Sequence, residues 1–320
     1  MQVFFINLAW DAAGCSYKQA EAINMHTDWK ARHFRAVKTF YDDLDLGPEN
    51  YNKDEFISII ESSDILHFCS ADHSYNSPHN FDFDWDDLVK DKIKIFHDYN
   101  SFMGRWDERA KAKDVWTRKD DIGYNAIFSS IPQATQIYKD CIYIPDVVNE
   151  LSEEYTPSNI NRRNIIIGHF PTGGGNNKNT NELKWACIQY NKTGDVSYRI
   201  YTEIPHKQVI KIKKQCTMGF DALWRGFHGM TTVENIALGI PTMTAIDGCF
   251  EKVFKEFHQT DIFPFEVTNT KEDIYNCIKD YVHNPELLEE RSKLVRQFAI
   301  EKWSYKNIAN RIVEEYGKLI

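Results

Sequence analysis

The sequence holds no CxxC pair. Its seven cysteines stand singly at positions 15, 69, 141, 187, 216, 249 and 277, an odd number in a chain of 320 residues. That pattern excludes a disulfide framework and a cysteine-built zinc site, and it suits a reducing, cytoplasmic setting. No stretch approaches the roughly 20 apolar residues that span a bilayer. The opening MQVFFINLAWDAAG has a short apolar run and no basic leader, so it reads as a first strand rather than a signal peptide. Positive charge is not in excess either. Lys and Arg number 38 against 47 Asp and Glu, giving a net charge of -9, which speaks against a general nucleic-acid binder. A basic strip does exist at Lys207 to Lys214. It reads as a solvated helix face or as a contact for an anionic acceptor or the inner face of a membrane. There is no internal repeat and no low-complexity tract.

What is present is an alternation of short apolar runs with longer amphipathic segments. Val3 to Leu8, Ile65 to Cys69, Ile93 to Phe96, Ala126 to Ser129 and Ile142 to Ile144 read as buried parallel strands, and Ser16 to Phe40 suits a helix. Pro145 to Arg163 is polar and reads as a linker. The pattern then restarts with a strand at Asn164 to Gly168. A helix is expected at Asn181 to Tyr190, a strand at Val196 to Tyr201, helices at Lys207 to Gln215 and Thr231 to Leu238, and a strand at Pro241 to Ile246. The tail from Pro285 is helical with a break near Trp303 and Ser304. The expected fold is α/β with two Rossmann-like lobes, residues 1–150 and 160–300, a cleft between them, and a terminal segment 301–320. In such folds ligands bind beyond the C-terminal ends of the strands.

Two stretches bear on chemistry. In Phe220 to Met243, glycines 226 and 229 bracket a loop that feeds a helix. Thr231 and Thr232 can cap that helix, and amides at a helix start attract phosphate. Glu234, one turn in, could accept hydrogen bonds from ribose hydroxyls. An ordinary loop–helix–strand unit explains the same residues. In Ile165 to Thr180 a strand is followed by three consecutive glycines and by Lys178, which suits a diphosphate clamp or a plain surface lysine. The P-loop spacing is absent.

These residues resemble the nucleotide-sugar signature of retaining GT-B glycosyltransferases of the group 1, family 4-like type. Gly226-Phe227-His228-Gly229-Met230-Thr231 and Glu234-Asn235-Ile236-Ala237-Leu238-Gly239-Ile240-Pro241 match the loop and the "ALG-x-P" helix of that group. His169-Phe170-Pro171 and Lys178-Asn179-Thr180 resemble its "H-x-P" and "K-G-T", with Asn179 in place of glycine. Many members have two glutamates separated by seven residues; the first would fall at Gly226, where this chain has none. The resemblance implies a donor site of Gly14, His169, Thr172, Lys178, His228, Gly229, Met230, Thr231, Thr232 and Glu234. It implies His97, Lys178 and Glu234 as catalytic residues. Ser63-Asp64-Ile65-Leu66-His67 and Lys94-Ile95-Phe96-His97-Asp98 resemble first-lobe strands of the group, and place His67, Asp98 and Arg105 toward the acceptor. Phe298 to Tyr316 resembles the terminal helices that cross back onto the first lobe.

The implied activity is transfer of a sugar, hexosyl-type, from a nucleoside diphosphate sugar to an acceptor hydroxyl on a glycan or lipid-linked acceptor, with retention. No DxD-type pair stands out; Asp82, Asp84 and Asp86 read as an acidic strand edge, so no metal and no other cofactor is expected. The alternatives are a DNA-base glycosyltransferase of the same fold and a catalytically inactive nucleotide-binding module.

Overall fold

The computed structural model describes residues 1–7, 14–37, 45–48, 50–69, 83, 85–99, 123–136, 138, 140–158, 164–171, 178–190, 195–223 and 226–320, residue 86 by its backbone alone. The chain divides into two units, Met1–Val147 with Tyr305–Ile320, and Val148–Ser304.

The first unit is built on the apolar runs. β1 (Gln2–Asn7) has Val3, Phe4, Phe5 and Ile6 fully buried, as expected for a parallel strand covered on both faces. It is followed by α1 (Cys15–His26), β2 (Lys30–Arg35), α2 (Lys53–Ser62), β3 (Ile65–Cys69), the short α3 (Trp85–Val89), β4 (Ile93–Asp98), β5 (Ala126–Ser129) and β6 (Ile142–Tyr143). The six strands run parallel in the order β2-β1-β3-β4-β5-β6. Phe4, Phe34, Phe56, Phe68 and Trp85 fill one face of this sheet.

The helix expected over Ser16 to Phe40 is in fact a helix and an edge strand. The helix stops at Thr27, whose hydroxyl donates to the Ile23 carbonyl and accepts from the Trp29 amide. Asn24 then clasps the strand by exchanging two 2.8 Å hydrogen bonds with the Ala31 backbone. Three of the six residues of β2, Lys-Ala-Arg-His-Phe-Arg, are cationic, so the strand carries little apolar signal. His33, Phe34 and Arg35 are nevertheless buried.

The second unit runs β7 (Ile165–His169), α4 (Thr180–Tyr190), β8 (Val196–Ile200), α5 (His206–Lys213), β9 (Met218–Phe220), α6 (Met230–Ala237), β10 (Thr242–Thr244), α7 (Gly248–His258), β11 (Glu266–Val267), α8 (Lys271–His283) and α9 (Pro285–Glu301). Its parallel sheet has the order β11-β10-β9-β7-β8. β9 and β11, only three and two residues long, are too short to show a period in sequence. Gly219 in β9 is required by packing: a Cβ there would lie 2.1 Å from Asn235 Nδ2 on α6. Both units thus carry the doubly wound parallel α/β architecture expected from the alternating pattern.

After α9 the chain breaks at Trp303 and Ser304, and α10 (Tyr305–Gly317) is counted with the first unit. Tyr305 donates to Glu21 on α1 at 3.0 Å. Tyr316 stacks on Phe128 and sends its hydroxyl into the sheet, 2.5 Å from His67 Nδ1. No described helix is long and apolar enough to cross a membrane.

Candidate functional site

The second unit concentrates the residues singled out in the two glycine-rich stretches. β9 ends at Phe220, and Asp221 follows directly, 2% exposed. One Asp221 oxygen, Oδ1, accepts from the Lys178 ammonium at 2.9 Å. The other, Oδ2, accepts from the Gly229 amide and from the Thr232 hydroxyl, the latter at 3.0 Å. Burial alone would push the Asp221 carboxyl up. The Lys178 charge and hydrogen bond, with the Gly229 and Thr232 donors, outweigh burial and hold it well below the usual carboxylate range.

Gly229 is the N-cap of α6, in extended backbone, and no side chain caps it. There is no acidic residue in the first turn. The half-buried Met230 and Thr231 therefore start a helix whose N-cap residue offers no side-chain cap, and whose positive end meets the Asp221 carboxylate only through the Gly229 amide and the Thr232 hydroxyl. A Cβ on Gly229 would come within 3.0 Å of Asp221 Oδ2 and 3.2 Å of Lys178 Nζ, so glycine is what lets the ion pair lie against the helix start. Gly226 has φ 66° and would bring a Cβ within 2.7 Å of Asp247 Oδ2; both the left-handed turn and the crowding need glycine there. Asn179, the residue in place of glycine, has φ 54°. Asparagine tolerates that region, and its side chain also accepts from the Leu223 amide at 3.0 Å.

His169 lies at the end of β7, 1% exposed, with both ring nitrogens engaged. Nδ1 faces the Phe220 carbonyl at 3.1 Å, so it carries the proton; Nε2 accepts from Thr180 Oγ1 at 2.9 Å. Burial, partly offset by the Phe220 carbonyl, lowers its pKa to about 4, and the ring is neutral at pH 7. It fixes the first residue of α4. His228 is also buried, its ring packed among Phe250, Phe265 and Trp303, with Asp221 and the Gly229 backbone offsetting part of the burial that lowers its pKa to about 4.

Glu234 lies between the buried Lys213 and the half-buried His206. Its Oε2 accepts from Lys213 Nζ at 2.6 Å, and its Oε1 is 2.7 Å from His206 Nε2. Lys213 is 1% exposed and its ammonium lies 5.3 Å from the Phe170 ring centroid. The basic strip at 207–214 is thus split: Lys207 and Lys211 face solvent, whereas Lys213 turns inward. Sequence reasoning missed Asp221, His206 and Lys213. A Lys seven residues after a His, both on one side of a short helix, was the available signal for the last two.

In the first unit Gly14 has φ 64° and precedes α1 with no side-chain cap. Beside it lies a buried polar group that the sequence did not suggest: Ser16 Oγ is 2.9 Å from His33 Nε2 and accepts from Asn7 Nδ2 at 3.2 Å. His67 and His97, both fully buried, form a hydrogen-bonded chain whose direction is fixed by its ends. Ser130 Oγ donates to the Ile144 carbonyl, so it accepts from His97 Nε2 at 3.3 Å. His97 Nδ1 must then accept from His67 Nε2 at 2.9 Å, and His67 Nδ1 from the Tyr316 hydroxyl. Burial lowers both histidines, His67 to about 3, with the neighbouring His67 adding to the effect on His97. His97 therefore spends both nitrogens inside the core. Asp98 is buried at the end of β4. Thr172 and Arg105 lie outside the described residues. Among the described residues no group of three or more His, Cys, Asp or Glu side chains could hold a metal ion; Asp82 and Asp84 lie outside them.

No protein-family profile matches the sequence, and no curated protein sequence does. The fold, in contrast, has many solved counterparts. Sucrose-phosphate synthase from Thermosynechococcus elongatus aligns over 100% of this chain and 99% of its own, with a TM-score of 0.61 and 12% identity. Anabaena HepE, solved in complex with UDP, aligns over 99% and 100%, with a TM-score of 0.65 and 10% identity. An alpha-glucosyltransferase, solved with UDP-glucose and DNA containing an abasic site, aligns over 100% and 99%, with a TM-score of 0.65 and 10% identity. The two α/β units together match the GT-B fold along their whole length.

Proposed function

We propose that this chain is a glycosyltransferase that takes its sugar from a nucleoside diphosphate sugar bound on the second unit. The observation that carries the reading is the Lys178 ammonium held beside the uncapped start of α6. Those are the two elements a diphosphate needs: a positive charge, and amides at the positive end of a helix dipole. The match of the loop and helix to the nucleotide-sugar signature, and the GT-B neighbours crystallised with UDP and UDP-glucose, support the same assignment.

As the glycosidic bond to the donor breaks, negative charge grows on the leaving diphosphate. Lys178 and the amides of Met230 and Thr231 would meet it, and a well-placed donor of this kind contributes about 3 to 4 kcal/mol at the transition state. Glu234 would reach the ribose through the lone pairs that Lys213 and His206 leave on its oxygens. His169 holds the start of α4, which begins two residues after Lys178. We take the transfer to be hexosyl-type, retaining and metal-independent, the charge compensation coming from protein groups. The acceptor hydroxyl belongs to a glycan or lipid-linked acceptor, since a net charge of -9 opposes a DNA duplex. Seven free thiols fit a reducing compartment, the cytoplasm, with any membrane contact peripheral.

The test is a thermal-shift panel of nucleoside diphosphates and their sugars. A matching ligand at about 100 times its Kd should stabilise the protein by roughly 2.7 kcal/mol. Lys178→Ala leaves the buried Asp221 carboxylate with only its Gly229 and Thr232 donors, so it should fold with reduced stability and should lose most of that shift. Absence of any shift across the panel would sink the reading. Donor hydrolysis to water separates an enzyme from an inactive nucleotide-binding module.

A further inference from the structure

A buried carboxylate next to a site for anions calls for an explanation. Its charge should repel a diphosphate unless that charge is spent on something else. Asp221 is 2% exposed, and among the described residues its hydrogen-bond donors all belong to the candidate site: Lys178, Gly229 and Thr232. We infer that Asp221 is a positioning residue for the diphosphate, docking the Lys178 ammonium onto the start of α6. The inference rests on the donor-site reading above.

Lys178 has three N–H donors, of which Oδ1 takes one and leaves two for a ligand. The second oxygen ties down the Gly229 amide and the Thr232 hydroxyl, so one carboxylate fixes both the ammonium and the first turn it must serve. The Gly229 backbone leaves no room between them, since a Cβ there would press on both partners. A second tether, Asn179 Oδ1 to the Leu223 amide, ties the residue next to Lys178 to the stretch just after Asp221. A lysine without such a partner would spread over its rotamers, a freedom worth about tenfold in affinity when it is lost on binding. Asp221 removes that freedom before the ligand arrives.

The test is a double-mutant cycle on the binding of UDP, with the other nucleoside diphosphates in parallel, by calorimetry. Asp221→Asn keeps the shape and removes the charge. Acting through Lys178, it should weaken binding about tenfold in the otherwise unchanged protein and less than about twofold in the Lys178→Ala background. Thr232→Val, which removes one of the carboxylate's tethers and leaves its charge, should show a smaller loss that also vanishes in Lys178→Ala. It stands in should Asp221→Asn fail to fold. Losses that add independently of Lys178 would reduce Asp221 to a structural residue and overturn the inference. Tighter binding in Asp221→Asn would overturn it too, showing that the carboxylate opposes the ligand. If the unsubstituted protein binds none of the nucleoside diphosphates, the donor-site reading itself fails, and this role falls with it.

Discussion

At the scale of single residues, the second unit is organised by buried charges that hold one another. Lys213 and Glu234 are both almost inaccessible, and neither could be left alone there. Lys213→Met strands the Glu234 carboxylate and should destabilise the second unit by about 3 to 5 kcal/mol. Combining it with Glu234→Leu should recover most of that loss in denaturant melts while leaving donor affinity low. No recovery in the double variant would mean the pair is not a closed electrostatic unit. Lys178 could be read from sequence because it follows three glycines and a strand, a context with chemical meaning of its own. Asp221 could not, since a single aspartate after a three-residue strand has no pattern around it. Its role exists only once β9 and the start of α6 are side by side. Glu234 was legible as a candidate site residue, but its ion pair with Lys213 was hidden by the solvated look of the basic strip.

At the scale of elements, what sequence shows best is the apolar strand. β1, β3, β4 and β5 declare themselves because both faces are covered, leaving no polar alternation to confuse the pattern. β2 fails for the opposite reason: its buried members include His33 and Arg35, and burial of polar side chains leaves no apolar trace. The break at Trp303 and Ser304 was legible. The return of the following helix to the first unit came from the resemblance alone; its contact, Tyr316 to His67 across 249 positions of sequence, has no local pattern. The hydrogen-bond chain from Tyr316 through His67 and His97 to Ser130 predicts a measurable dependence. Tyr316→Phe keeps the ring on Phe128 and leaves His67 Nδ1 buried without a donor. The first unit should lose about 1 to 3 kcal/mol, read as a lower midpoint in urea. An unchanged midpoint would show that the chain is not formed in that direction.

At the scale of the molecule, five buried histidines are neutral in the fold: His67 and His97 in the first unit, His169, His228 and His258 in the second. Burial lowers each of them, His169 and His228 to about 4 and His67 and His258 to about 3. The unfolded chain binds protons on these rings below about pH 6.5 and the folded chain does not, so folding stability is full above that pH and falls as the pH drops toward 4. Between pH 7 and pH 5 each histidine should remove about 2 kcal/mol. Asp221, also lowered in the fold, contributes stability that is lost only below about pH 4. Denaturant midpoints of both units at pH 7 and pH 5 check this. A flat profile would mean that the rings find proton donors and acceptors when charged.

The last helix has a temporal consequence. Synthesis delivers Met1–Val147 first and Tyr305–Ile320 only after the whole of Val148–Ser304 has been made. While the ribosome works through the second unit, the first carries a histidine in its sheet that awaits its phenol and an α1 face that awaits its cover. Of the two units, the one begun earlier is therefore completed later, and the seal on its core comes only once Tyr305–Ile320 has been made.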